Sequence, residues 1–196
     1  MELLLTLGAF ALVSSITPGP NNLMLMASGA NFGVKKTLPH MFGVAFGFCF
    51  MLFLVGLGII QLFDAYPASY EVLKWFSVIY LTYLAIKIAR AANPPSVNGK
   101  EAKPMTFFQA VLFQWVNPKA WTMALSAMSL YAPNRDLSSI LVVTLIFGLV
   151  NLPSISVWTV MGQKVSLFLT SAVKMKVFNY SMAALLLFSL YPVVIG

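Results

Sequence analysis

What constrains this chain most is a succession of apolar runs, each about as long as a bilayer's hydrocarbon is thick. They cover residues 3–27, 41–63, 72–90, 107–131, 137–161 and 177–195. A helix needs roughly 17–25 such residues to cross. Of the 196 residues, 60% are hydrophobic and only 9% charged, where soluble domains carry roughly a quarter charged. A single water-soluble core could not hide that much apolar surface, whereas lipid can. The expected fold is an all-α integral membrane protein with six transmembrane helices in one domain spanning residues 1–196 and no soluble domain. The shorter run 165–173 lies between Lys164 and Lys174 and reads as an interfacial connection. Five-span and re-entrant arrangements stay open, because the first and fourth runs are interrupted.

The formal charge of +7 would suggest nucleic acid if the cations shared one soluble face. Instead they lie in short segments between the apolar runs, which excludes that class and makes them a topology signal. With six spans, nine of them (Lys35, Lys36, Lys87, Arg90, Lys100, Lys103, Lys164, Lys174, Lys176) fall on one side. The other side receives Lys74 and Arg135 together with Glu2, Asp64, Glu71 and Asp136. Lys and Arg of short loops favour the cytoplasm, so both termini are expected outside. Miscounting by one internal span would scramble this separation. Cys49 is the only cysteine, so no intrachain disulfide forms, and no Cys/His cluster suggests a structural metal or a cofactor. The opening Met1-Glu2 lacks a basic n-region, so the first run is read as a retained span.

The stretch 91–104, with Asn93-Pro94-Pro95-Ser96, resembles a linker. Three spans precede it and three follow, so halves 1–92 and 104–196 would be inverted with respect to each other, a 3+3 arrangement. Residue identity between the halves is slight. Their common feature is a defect in the first helix of each.

In the first span the defect is Thr17-Pro18-Gly19-Pro20-Asn21-Asn22. Two prolines each lack an N–H and clash with the preceding turn, and the glycine between them adds freedom, so the helix unwinds. In the fourth it is Asn117-Pro118-Lys119, an N-cap residue followed by a favoured first helical residue, which reads as a helix starting again. Irregular backbone at membrane depth is tolerated only where protein or a watery cavity surrounds it. There the second half-helices present N–H groups and a positive dipole end, and the first half-helices present carbonyls. A ligand with both a carboxylate and an ammonium, such as an amino acid, matches both. Paired interruptions of this kind are the best sequence pointer to a transporter's substrate site. At ~1.5 Å per residue, the two breaks would fall within a turn or two of each other near the middle of a ~30 Å core. The candidate substrate-binding residues are therefore Pro18, Gly19, Pro20, Asn21, Asn22, Gln114, Asn117, Pro118 and Lys119.

Blander readings stand beside these. A proline defect can be an ordinary kink. Lys119, the one charge deep in a span, costs roughly 2.5 kcal/mol or more to insert and is functional by default, but it can also simply cap carbonyls. Asn21 and Asn22 can bind a ligand or re-satisfy freed backbone. His40 has a side chain suited to a proton relay, though at the start of the second span it reads first as a solvated interfacial group. Gly43 and Gly47 read as a close-packing face, and the tryptophans, Tyr80 and Tyr83 as packing or interface belts. Asn151 and Pro153 suggest another hinge.

Taken together, Pro18-Gly19-Pro20-Asn21 followed by Gly29 and Gly33, Gly43 and Gly47, Tyr80-Leu81-Thr82-Tyr83-Leu84-Ala85 leading to Lys87, and Phe107 with Asn117-Pro118-Lys119 resemble the LysE/RhtB family of amino-acid exporters. The likeness covers the chain in length and span order, and is nearest to the branch exporting cysteine and O-acetylserine. It implies export of small amino acids or derivatives across the inner membrane of a bacterium, by proton antiport with alternating access. The partners implied are a small amino acid, protons and the lipid bilayer, with a homo-oligomer left open; the chain is not expected to be an enzyme. Many family members carry an acid just after the second glycine of the second helix, where this chain has Phe48. No carboxylate then remains at membrane depth, and proton coupling falls to Lys119, His40 or the substrate's own amine. Two other classes stand beside this one: an inorganic-ion exporter, which would want acidic or sulfur ligands, and a membrane enzyme or assembly factor, which would want a catalytic cluster.

Overall fold

In hydrocarbon a backbone must pair its own N–H and C=O groups, which favours helices wherever a segment is long and apolar. The computed structural model describes residues 2–91 and 103–195, and every regular element among them is helical. In chain order they are α1 (Glu2–Ile16), α2 (Pro20–Gly56), α3 (Ile60–Ala65), α4 (Ala68–Arg90), α5 (Phe107–Phe113) with a 3₁₀ turn at Gln114–Val116, α6 (Pro118–Tyr131), α7 (Leu137–Ser166), α8 (Ala172–Phe188) and α9 (Tyr191–Ile195). Four stretches are long and apolar enough to cross a membrane: α2, α4, α7, and α8 with α9. Helix α1 and the α5 segment are shorter apolar pieces. Most of the linker-like stretch 91–104, including Lys100, lies outside the described residues.

Two boundaries differ from the sequence reading. A connection was expected between residues 27 and 41, yet α2 runs helical through it for 37 residues. The direction changes at one point, Gly33, whose φ of 78° and ψ of 165° are open essentially to glycine alone. The bend is well bonded. The Val34 N–H donates to Gln163 Oε1 of α7 at 2.6 Å, and the Thr37 hydroxyl donates to the Gly33 carbonyl at 2.8 Å. Gly33→Ala should therefore destabilise the protein by about 1–3 kcal/mol, seen as a lowered melting temperature in detergent; an unchanged melting temperature would mean the bend can relax. The second difference is in α7, which continues past residue 161 to Ser166. The expected interfacial run 165–173 is thus divided among the end of α7, a short turn and the start of α8.

The bundle is organised on α2, which lies along α7 and also meets α5, α6 and α8, while α4 pairs with α8 and α1 with α7. Glycines allow the closest approaches. A Cβ on Gly29 would collide with the Thr159 carbonyl, and one on Gly162 with the Met26 carbonyl, so α2 and α7 touch backbone to backbone. Gly43 lies against the Phe107 carbonyl, and a Cβ on Gly47 would stand 2.7 Å from Val111 Cα. These two are the close-packing face that the spacing predicted, here against α5. Tyr80 packs on Tyr83 and on Phe113. Outward-facing Phe46, Trp75, Leu145 and Phe188 are each more than half exposed, an apolar surface suited to lipid and not to water. At the start of α7, Asp136 caps the helix by accepting from Ser139 N at 2.9 Å and from Ser138 Oγ. Those bonds hold its carboxyl well below the usual carboxylate range, at about 2.

Candidate functional site

A helix that stops inside a membrane protein leaves its last four carbonyls without intrahelical partners. All four at the end of α1 are accounted for. The Val13 carbonyl accepts from Thr17 N at 3.2 Å; the Ser14 carbonyl from Thr17 Oγ1 at 3.1 Å; the Ser15 carbonyl from Asn22 Nδ2 at 2.8 Å; and the Ile16 carbonyl from Trp158 Nε1 of α7 at 2.9 Å. Asn22 Nδ2 also donates to the Thr17 carbonyl at 2.7 Å. Asn22 therefore spends its amide on freed backbone, one of the two readings the sequence left open. Trp158 does the same, where composition suggested only packing.

The two interruptions meet. The Lys119 ammonium, from the first turn of α6, donates to the Thr17 carbonyl at 2.6 Å, to Thr17 Oγ1 at 2.9 Å and to the Pro18 carbonyl at 3.2 Å. Its aliphatic stem lies over Gly19, where a Cβ would come within 2.5 Å of Lys119 Cδ. Asn21 and Gln114 join the breaks a second time. Asn21 Nδ2 donates to Gln114 Oε1 at 2.8 Å, and Gln114 Nε2 donates back to Asn21 Oδ1 at 3.3 Å and to the Ala110 carbonyl at 2.9 Å. Gln114 is fully buried at the 3₁₀ turn where α5 tightens and ends.

The second half-helices differ from the symmetric expectation. At α6 the donors are already used: Pro118 has none, Lys119 N donates to Asn117 Oδ1 at 3.2 Å, and Ala120 N donates to the Asn117 carbonyl at 3.0 Å. At α2 the N-cap position is Gly19, which supplies no side-chain cap, and Pro20 again has no N–H. The first donors there are the N–H groups of Asn21 and Asn22, at the positive end of the helix. One positive helix end thus lines the same small cavity as Lys119.

Between these groups is a small cavity walled by Ser15, Gly19, Asn21, Asn117, Lys119 and Asn151 with Phe48 behind them. Its volume is about 20 Å³. That is room for a water or two. Pro18, Pro20 and Pro118 contribute the breaks themselves. Phe48, at the position where the resemblance implies an acid, is buried and packs edge-on to Phe147 with ring centroids 5.6 Å apart. Two cavity residues escaped the sequence reading. Asn151 of α7, taken as part of a hinge, donates to Ser15 Oγ at 3.2 Å, and its Oδ1 is buried without a partner among the described residues. A polar residue in an apolar span was the available signal for Asn151; nothing local marked Ser15.

His40 does not join this group. It lines a different cavity with Lys87, and it is buried, 1% exposed, where a solvated interfacial side chain was expected. The reason is the helix through residues 28–40, which draws the expected loop position into the bundle.

Comparison with known proteins supplies the relationship. The family model of the LysE type translocator matches residues 12–191. Proteins named cysteine/O-acetylserine efflux protein from Escherichia coli K12 and Shigella sonnei Ss046 are 30% identical over 122 residues, 62% of this chain and 62% of each relative. The one from Escherichia coli O1:K1 is 29% identical over the same share. The match therefore spans less than two thirds of these relatives' length. No solved structure matches.

Proposed function

We propose, because this chain belongs to the LysE type translocator family, that it exports small amino acids or close derivatives from the cytoplasm by alternating access around the junction of Thr17, Pro18 and Lys119. It is a membrane transporter and not an enzyme. The observation that carries the reading is the Lys119 ammonium seated on the Thr17 and Pro18 carbonyls. An internal cation occupies the place that a substrate's ammonium would take, and two cations cannot share one pair of carbonyls. An arriving amino acid puts its ammonium on those carbonyls and its carboxylate toward the Asn21 and Asn22 N–H groups, where the helix end favours negative charge. Lys119, displaced, pairs with the same carboxylate. The charge-assisted bonds broken and made are of one kind, so the exchange is close to balanced and a modest gradient can drive it.

The six-span 3+3 arrangement belongs to this reading. Helix α1 with the first part of α2, and α5 with α6, are the broken first spans of two inverted halves, and the bend at Gly33 separates span one from span two. The basic segments put both termini outside an inner membrane. The closed cavity is one state of the cycle, and opening it on either side requires α1 and α6 to part. The returning ion is a proton carried on Lys119, the titratable side chain lining the cradle. Vesicles loaded with solute should then release it faster when the outside is made acidic; indifference to the pH gradient would remove protons from the scheme.

Substrate class is read from the relatives, whose names specify cysteine and O-acetylserine. Overexpression should raise one or more small amino acids or O-acetylated derivatives in the medium against an empty-vector control. A medium with unchanged amino acids and altered inorganic ions would overturn the proposal in favour of ion export. A finer test is Gly19→Ala. Gly19 has extended backbone, φ −176°, so alanine adds no strain, but its methyl pushes the Lys119 stem aside. Efflux should fall about tenfold, the loss of one charged hydrogen bond, with the protein still folded; full activity would mean that Lys119 need not sit there.

A further inference from the structure

The bend in α2 holds a second group of polar side chains that the cradle does not use. The cavity in its crook has a volume of about 50 Å³, room for a few waters or one small solute. Its walls include Met24, Ser28, His40, Leu84, Lys87 and Lys103. Among the described residues no acid lines it. Its neutral polar groups are largely committed: Ser28 Oγ bonds Thr37 Oγ1 at 2.9 Å, and Asn31 exchanges amide bonds with Asn179 at 2.8 and 2.9 Å.

His40 differs. Both of its ring nitrogens are sealed from solvent and unpartnered among the described residues. A neutral imidazole offers one donor and one acceptor, and leaving a buried polar group unpaired is costly enough that native structures rarely do so. In this conformation the ring lacks both partners, and a guest that displaced the side chains sealing it would need an acceptor for one nitrogen and a donor for the other. The lysines beside it specify the acceptor as an anion. A carboxylate next to an ammonium provides both groups in one small solute.

We propose that the crook of the Gly33 bend is a second solute site, an entry station that holds an amino acid's carboxylate against His40 and Lys87 before the solute reaches Thr17 and Pro18. This rests on the transport reading for its direction of traffic, but not for its chemistry. Met24, Ala27 and Ser28 line it from the same first part of α2 that opens with Asn21 and Asn22 at the cradle. One rigid helix segment therefore touches both sites, and movement at Gly33 shifts them together.

His40 is the chain's only histidine, so full-length protein labelled with ¹⁵N-histidine reports this site alone. In nanodiscs of zwitterionic lipid, titration with O-acetylserine should move both ring-nitrogen signals saturably. Acetate, lacking the ammonium, should move one. Lys87→Gln should weaken the response about tenfold, the loss of one charged bond. Lys119→Ala should leave it in place, so a failed cradle and a failed station are told apart. The proposal is overturned if neither signal moves at solute concentrations that saturate efflux. It is overturned equally if phosphatidylglycerol in the disc moves the signals and solute does not, which would make the ligand a lipid headgroup.

Discussion

Lys119→Ala should lower efflux from solute-loaded vesicles about a hundredfold, the equivalent of one or two charge-assisted hydrogen bonds, while the protein inserts and stays folded. The two effects separate for a physical reason. The ammonium makes three bonds across the junction of the breaks, and among the described residues no other cation lines that cavity. Removing it leaves a substrate's carboxylate without its countercharge and the cradle without its competitor. Structure suffers less. The Thr17 carbonyl keeps its bond from Asn22, and removing a lysine from membrane depth relieves an insertion cost of roughly 2.5 kcal/mol or more. Normalised initial rates, with gel filtration to confirm an intact fold, measure both. A rate equal to the wild type would reduce Lys119 to a backbone cap.

The second large effect is on stability. Gly162→Ala, and equally Gly29→Ala, should destabilise the protein by at least about 3 kcal/mol, beyond the usual 1–3 kcal/mol of an overpacked core. A methyl at either position meets a backbone carbonyl of the facing helix, and a backbone has no rotamer to change. The crossing of α2 with α7 must open, which also pulls Trp158 from the Ile16 carbonyl and Gln163 from Val34. Thermal unfolding in detergent measures the loss. Gly8→Ala, where a Cβ has nothing within 4 Å, is the control and should be neutral; equal melting temperatures for all three would show the crossing to be loosely packed.

What the sequence made legible follows from backbone chemistry. Prolines 18, 20 and 118 remove N–H groups wherever they stand, so the ends of α1 and α5 and the cap at Asn117 could be read locally. Estimating depth from helix rise then sufficed to bring the breaks together. The path from residue 28 to residue 40 was not legible, because Lys35, Lys36 and Pro39 are loop signals by composition. Only Gln163, more than a hundred residues away, shows how a helix can continue there with a bend. Partnerships of that range also hid the roles of Trp158, Asn151 and Ser15. The sequence reading placed Lys119 on a ligand's carboxylate; in the structure it rests on the Thr17 and Pro18 carbonyls. The used donors at the start of α6 and the uncapped start of α2 likewise depend on geometry that spacing does not carry. His40 was misplaced for the same reason as the loop around it.

The central claim is that two interrupted helices form one solute-binding junction, and its most direct test is chemical. In a Cys49→Ala background, which removes the only native thiol, cysteines replace Asn21 and Gln114, whose side chains are 2.8 Å apart. Because that distance joins the tips of longer side chains and a disulfide needs Cβ atoms about 4 Å apart, a short bifunctional thiol reagent in membranes should bridge the pair within the monomer, and saturating O-acetylserine should slow that reaction severalfold. Failure to cross-link, or a rate that no candidate amino acid changes, would contradict a shared site.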